Sequence, residues 1–187
     1  MLSLIHISEP TRQVCIRDRY NTINMTDLVV IAHNIRSIHN IGSIFRTAEG
    51  FGIKEIICSG YTPYPSLPLH DNRLPHIHEK ITNQMHKTAL GAEKLVKFRH
   101  CETPPIETLR NQGYKIIGLE QNESSIKLPN YRPHNKIALI LGEEVDGISQ
   151  NILMQCDYLL EIPMFGKKES FNVSVAAGIA LYHLTLL

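Results

Sequence analysis

Three stretches of this chain concentrate side chains that can bind polar ligands and move protons. Asn34, Arg36, Asn40, Gly42, Arg46, Thr47 and Ala48 form an N-x-R-x-x-x-N-x-G-x-x-x-R-T-A pattern. Leu141, Gly142, Glu143, Glu144 and Gly147 stand in LGEEVDG. Ile162, Pro163, Met164, Lys167, Lys168, Ser170, Phe171, Asn172 and Val173 stand in IPMFGKKESFNV. Guanidinium groups grip phosphates, carboxylates hold cations or accept protons, and a glycine lets backbone approach a ligand closely. Taken singly these residues have plainer readings: Asn40 as a helix cap, Arg46 as a surface charge, Ser170 as a cap of the last helix, and Glu143 with Glu144 as a solvated pair.

The surrounding pattern says what must position them. Leu28 to Ala32 is a continuous apolar run, as a parallel strand buried on both faces requires. Further strand-like runs lie at Ile53 to Cys58, Leu95 to Phe98, Tyr114 to Leu119, Lys136 to Leu141 and Tyr158 to Ile162. Helical spacing lies between them, at Gly42 to Phe51, near Gln84 to Gly91, at Pro105 to Gln112, from Ser149 through Met154, and at Val173 to Leu186. Pro63, Pro65, Pro68 and Pro75 make Tyr61 to Pro75 a loop. Strand and helix alternating in this way predict an α/β domain with a mostly parallel sheet and helices on both faces. Each chemistry-bearing stretch follows a strand and leads into a helix, the place where such folds hold ligands.

The 187 residues fit one domain, expected to span 25–187. Residues 1–24 lack the strand and helix pattern of the rest of the chain, and Met25 stands just before the first strand, so they are expected to be a leader outside the fold. A net charge of +1 means that any polyanion must be met by a local patch, with Arg36 and Arg46, Lys94 with Lys97 and Arg99, or Lys167 with Lys168 as candidates. Cys15, Cys58, Cys101 and Cys156 contain no CxxC pair, which favours reduced thiols over disulfides or a zinc site. Ten histidines come without an HExxH box, so no metal is expected. No apolar run reaches the roughly 18 residues of a membrane span. The absence of GxGxxG, GxxxxGK[ST] and GxSxG weakens dinucleotide and Rossmann-type methyltransferase readings and removes P-loop and α/β-hydrolase ones.

Together, in this order and spacing, the three motifs resemble the SpoU (TrmH) family of the SPOUT superfamily, over Asp27 to Leu187. The resemblance implies an S-adenosylmethionine-dependent RNA ribose 2′-O-methyltransferase. It implies a parallel sheet ending in a deep trefoil knot at about 137–187, a homodimer packed through knot helices, and a cytoplasmic location. It implies a cofactor site of three loops: Leu119 and the turn after it; Leu141, Gly142, Glu143 and Gly147; and Ile162, Pro163 and Met164, closed by Phe171 and Val173. Phe171 stands where members carry Leu. Asn40, Arg46, Glu144, Ser170 and Asn172 match the catalytic positions, and Asn34, Arg36, Lys167 and Lys168 become candidate RNA contacts. The family assigns proton removal to the arginine at the Arg46 position. Because a guanidinium rarely deprotonates, Arg46 could instead position the RNA phosphate, with that phosphate or solvent taking the proton. tRNA is favoured over rRNA as substrate. The alternatives are a non-catalytic knotted RNA-binding dimer and a knotted enzyme that methylates a base.

Overall fold

A computed structural model describes residues 26–67 and 69–186. The expectation of a leader at residues 1–24 lies outside the described residues. Among the described residues seven strands make one all-parallel sheet: β1 (Asp27–His33), β2 (Glu55–Ser59), β3 (Phe98–Cys101), β4 (Lys115–Leu119), β5 (Ile126–Lys127), β6 (Lys136–Leu141) and β7 (Tyr158–Glu161). Their order across the sheet is β3-β2-β1-β6-β4-β7-β5. Among the described residues four α-helices lie between strands, α1 (Ile38–Gly50), α2 (Pro75–Ala89), α3 (Ile106–Asn111) and α4 (Gln150–Leu153), and a fifth, α5 (Val173–Leu186), follows β7.

The alternation of side chains along each strand splits the interior into two layers. Leu28, Val30 and Ala32 of β1, with Ile137, Leu139 and Leu141 of β6, face the layer covered by α1, α2 and α5. Val29 and Ile31, with Ala138 and Ile140, face the layer under α3 and α4. On α1 the residues Ile41, Ile44, Phe45 and Ala48 recur at helical spacing and are fully buried. The α/β class with a parallel sheet and helices on both faces therefore holds.

Several boundaries differ from expectation, each for a local reason. Helix α1 begins at Ile38 because Ser37 caps it, its hydroxyl accepting the Asn40 N–H at 3.2 Å. Asn40 therefore lies in the first helical turn, not in the loop before it. Helix α2 is far longer than predicted and starts on Pro75, where a missing N–H costs nothing. Only Met85 and Ala89 of this helix are buried, so most of it carries no apolar period. The third strand lies at Phe98–Cys101 rather than at Leu95 to Phe98; Leu95 is exposed in the turn leading to it. Strand β5 is two exposed residues and carried no sequence signal.

Cys58 is buried and Cys156 packs beside the α3–α4 layer, as expected of core thiols. Burial pushes the Cys58 thiol up to about 12, which keeps it protonated. No group of histidine, cysteine and carboxylate side chains able to hold a metal occurs among the described residues. No helix among them is long and apolar enough to cross a membrane.

Candidate active site

The carboxyl ends of β4, β6 and β7 open onto a cleft of about 360 Å³, the size range of small-ligand sites. Its walls come from three loops: the chain after Leu119, the 142–149 turn, and the 162–172 segment before α5. Leu119, Leu141, Leu160, Ile162, Phe171, Val173 and Ala176 form the apolar surfaces. Glu120, Glu143, Glu144, Asp146 and Glu161 supply carboxylates, and Gln121, Ser170 and Asn172 add neutral polar groups.

Glu144 is the centre of the local network. Its Oε1 accepts from the Asn40 side-chain amide at 3.0 Å and the Ser37 N–H at 3.3 Å, and its Oε2 accepts from the Arg36 N–H at 3.2 Å. In a capping box the third helical residue reaches back to the cap's N–H; here a carboxylate from a distant loop does that at the α1 N-terminus. Partial burial pulls the Glu144 carboxyl upward. The Asn40 amide and the Arg36 and Ser37 backbone donors outweigh this and leave it below its ordinary value. Asn172 closes the chain of contacts, its Nδ2 donating to Asn40 Oδ1 at 3.2 Å. Its Oδ1 accepts from the Ser174 N–H at 2.9 Å, so Asn172, not Ser170, caps α5. Ser170 lines the cleft and is exposed.

Glu143 is held differently. Its Oε2 accepts from Arg36 Nη2 at 3.1 Å and from the Tyr61 hydroxyl at 2.8 Å. Neither glutamate is the freely solvated side chain of the plainer reading. Gly142 is forced by packing within the turn: a Cβ there would run into the Gly147 carbonyl and the Ile148 nitrogen. The sequence reading attributed this glycine to a ligand's approach, and the chain itself already requires it. Gly147 adopts φ +66°, and a Cβ on it would strike the Glu120 carboxylate. That carboxylate accepts from the Ile148 N–H at 2.9 Å and the Gln121 N–H at 3.0 Å.

The cleft or its network thus gathers Asn40, Glu144, Ser170, Asn172, Leu119, Leu141, Gly142, Glu143, Gly147, Ile162, Phe171 and Val173. Arg36 reaches it through Glu143, and Asn34 lies beside it with its Oδ1 accepting the Tyr61 N–H at 3.3 Å. Pro163 and Met164 stand outside the lining, because the segment leaves the cleft after Ile162 and returns at Ser170. Lys167 and Lys168 lie exposed on that excursion. Arg46 is not brought to the cleft. It lies six residues beyond Asn40, about 9 Å along α1, and is exposed. Sequence reasoning named the turn after Leu119 without singling out its Glu120 and Gln121, and it missed Tyr61. A glutamate directly after a buried strand was the available signal for Glu120, and Tyr61 had none.

Residues 69–182 match the model of the SpoU rRNA Methylase family. A tRNA (guanosine(18)-2′-O)-methyltransferase of Aquifex aeolicus is 30% identical over 158 residues, 83% of this chain and 67% of that protein. The 23S rRNA (guanosine-2′-O-)-methyltransferase RlmB of Coxiella burnetii is 29% identical over 84% of this chain and 57% of its own length. The chain thus spans between 57% and 67% of these two relatives. Among solved structures, the A. aeolicus TrmH/SpoU tRNA modifying enzyme superposes with a TM-score of 0.70 at 24% identity, covering 93% of this chain and 81% of that one. The Streptomyces viridochromogenes SpoU methyltransferase AviRb, solved in complex with AdoMet, gives 0.68 at 23% identity, covering 86% and 57%. These structures share the fold, and with the family match across more than half of its length the chain belongs to the SpoU rRNA methylase family.

Proposed function

We propose that this protein transfers a methyl group from S-adenosylmethionine to a ribose 2′-hydroxyl of RNA in the cytoplasm. The observation that carries this reading is the composition of the cleft. Apolar walls of Leu119, Leu141, Ile162 and Phe171 suit an adenine, while the donors to Glu120 and Glu144 are neutral N–H groups and no cation is paired with either carboxylate among the described residues. An ionised carboxylate held by N–H groups in a partly apolar site favours a cation, and the cofactor is a sulfonium with an ammonium group. When bound, it supplies an activated methyl group.

The chain's own residues have the remaining tasks. Asn40, bonded to both Asn172 and Glu144, fixes with them the geometry at the rim where a ribose would lie. Arg46 aligns the acceptor, either taking the hydroxyl proton itself or holding the neighbouring phosphate while its own positive charge lowers the hydroxyl's pKa, with that phosphate or solvent taking the proton. Its exposed place on α1 fits a homodimer better than an isolated copy. Thr47, next to it, lies against Gly178 of α5, and α5 carries Val175, Ile179, Tyr182 and Leu186 exposed at helical spacing. The opposite face of α5, with Ala177, Ala180, Leu181 and Leu184, is fully buried in the core. A helix apolar all round wants cover on both sides, and a second copy would supply it beside Arg46.

The trefoil knot belongs to the same reading. The connection from β4 to β6 travels past β7 to place β5 at the sheet edge, paired with Leu160 and Glu161. Further along that connection, the Tyr131 carbonyl accepts from His183 Nε2 of α5 at 2.9 Å. Support for an RNA substrate comes from relatives named for tRNA and for 23S rRNA; tRNA is the favoured class here. The test is incubation with unmodified tRNA transcripts and protein-free rRNA plus methyl-labelled S-adenosylmethionine, followed by digestion to nucleosides. A labelled 2′-O-methylnucleoside is expected. A base-methylated nucleoside, or no label in either RNA, would reject the reading.

A further inference from the structure

The loop after β2 carries two tyrosines in opposite circumstances. Tyr64 is used internally: the Arg73 guanidinium lies 3.6 Å from its ring centroid, and the ring stacks on His100 at 4.3 Å. Arg73 also donates to the Tyr64 and Pro65 carbonyls, each at 2.9 Å, so this stack pins the loop. Tyr61 points the other way. Tyr61 is 53% exposed, although the next residue, Thr62, is 1% exposed. The Thr62 hydroxyl donates to the Ala32 carbonyl at 2.9 Å and accepts the Ile35 N–H at 3.0 Å.

Tyr61 is therefore an aromatic ring fixed at three points and left in solvent. Its backbone is anchored through Thr62, its N–H donates to Asn34, and its hydroxyl donates to Glu143 of the cleft. The Arg36 guanidinium stands 5.9 Å from the ring centroid and shares the same Glu143 oxygen. Among the described residues, no apolar packing holds this ring at that place. A rigid, exposed aromatic beside a guanidinium, at the mouth of a cleft, is the combination that stacks a nucleobase while its phosphate is neutralised. Because the ring is already immobilised, little conformational entropy remains to be lost on binding.

We propose that Tyr61 is a positioning residue that stacks a nucleobase of the RNA beside the cleft, with Arg36 taking the adjoining phosphate. This deepens the methyltransferase reading and rests on it, but its own readout is RNA affinity, which does not require methyl transfer. Tyr61 does not line the cleft, so its contribution falls on RNA and not on the cofactor.

The test compares Tyr61→Ala, Tyr61→Phe and Tyr61→Trp in the full chain, with unmodified tRNA transcripts and protein-free rRNA as probes and S-adenosylmethionine affinity measured by calorimetry. Tyr61→Ala should weaken RNA binding about tenfold, equivalent to about 1.4 kcal/mol, near the lower end of stacking on an aromatic. In turnover the same loss should raise the RNA KM more than it lowers kcat. Tyr61→Phe and Tyr61→Trp, which keep an aromatic face and release Glu143, should recover most of the affinity. If Tyr61→Phe is as damaging as Tyr61→Ala, the hydroxyl tether is what matters and the stacking role is wrong. A Tyr61→Ala protein with wild-type RNA affinity, or one whose loss is in cofactor binding alone, also overturns it. Should the wild type bind these RNAs without transferring a methyl group, the function reading fails while the affinity comparison still decides the role of Tyr61.

Discussion

The two ends of the parallel sheet use the same residue types in opposite ways. At the amino ends, carboxylates are met by cations. Asp27 accepts from Lys54 Nζ and from the Tyr114 hydroxyl, each at 2.8 Å, while Glu55 sits 3.7 Å from Lys97 Nζ and 3.4 Å from Arg99 Nε. At the carboxyl ends, Glu120 and Glu144 are bonded only by amide and backbone N–H groups. Asp27 and Glu144 are both below their ordinary pKa values; in each, burial raises the carboxyl and its hydrogen-bond donors outweigh that. Both are therefore ionised at neutral pH, but only the second kind leaves charge uncancelled. One end is a scaffold whose charges close on themselves; at the other, Glu143 is paired with Arg36, but no cation is paired with Glu120 or Glu144 among the described residues.

The largest effect should come from Arg46, the residue that the proposed chemistry needs and that no hydrogen bond or ion pair ties to the fold among the described residues. Arg46→Ala should lower methyl transfer by about 10²–10⁴-fold, the range for losing a proton-transfer or alignment group. No hydrogen bond or ion pair of Arg46 occurs among the described residues, so the melting temperature should hold. Single-turnover transfer with a parallel thermal melt checks both, and wild-type transfer in this variant would remove the proposed mechanism.

Next is Glu144→Gln, which keeps the shape and discards the charge. Hydrogen bonds to a charged group contribute about 1.5–3 kcal/mol, so cofactor affinity should fall about 10- to 100-fold by calorimetry. The same variant gives a pH signature with a definite sign. A carboxyl whose folded pKa is depressed adds stability that is complete above its unfolded value, ordinarily 4.5, and is lost as pH falls through the folded one. The stability gap between wild type and Glu144→Gln should thus be full at pH 7 and narrow in strong acid. A gap that stays constant across thermal melts down to about pH 3 would contradict the assignment.

How much of this could be read in the residues depends on what each element had to bury. Val173–Leu186 was predicted at its observed bounds because its start follows a polar loop and its apolar residues run to the end. The central strands were placed within a residue or two, since both their faces are buried. Helix α2 was mostly missed: its exposed face carries histidines and lysines and its start is a proline. The Asn40, Glu144 and Asn172 cluster was legible through the family motifs, although these residues lie far apart in sequence. Tyr61 was not, because its place beside the cleft comes from β2 ending beside β1, which periodicity does not encode; Glu120 was reached only as part of the turn after Leu119. Pro163 and Met164 show the converse: they belong to a motif, yet the chain carries them out of the cleft.

Gly42 sharpens the comparison from the scaffold side. A Cβ there would collide with the Thr88 hydroxyl and approach the Met85 carbonyl to 2.6 Å, because α1 and α2 cross closely at this point. Gly42→Ala should destabilise the protein by about 1–3 kcal/mol, the usual penalty of overpacking. That is a drop of about 2–4 °C in melting temperature per kcal/mol for a domain of this size. Cofactor affinity, measured well below the melt, should stay within a factor of about two, because the cleft is built on β4, β6 and β7.

The smallest effect is expected at the amino end, and its smallness is the point. Lys54 is 57% exposed and Asp27 29% exposed at the side chain, so their attraction is screened by water and salt. Lys54→Met should change stability by at most about 1 kcal/mol, despite the short contact and the second bond that Lys54 donates to the Tyr114 hydroxyl. Neither cofactor nor RNA affinity should move, because the charge removed was already cancelled by Asp27. A change of more than about threefold in RNA affinity would exceed what a screened surface pair can transmit. The amino end would then be an RNA surface in its own right, and the division between scaffold and cleft would have to be redrawn.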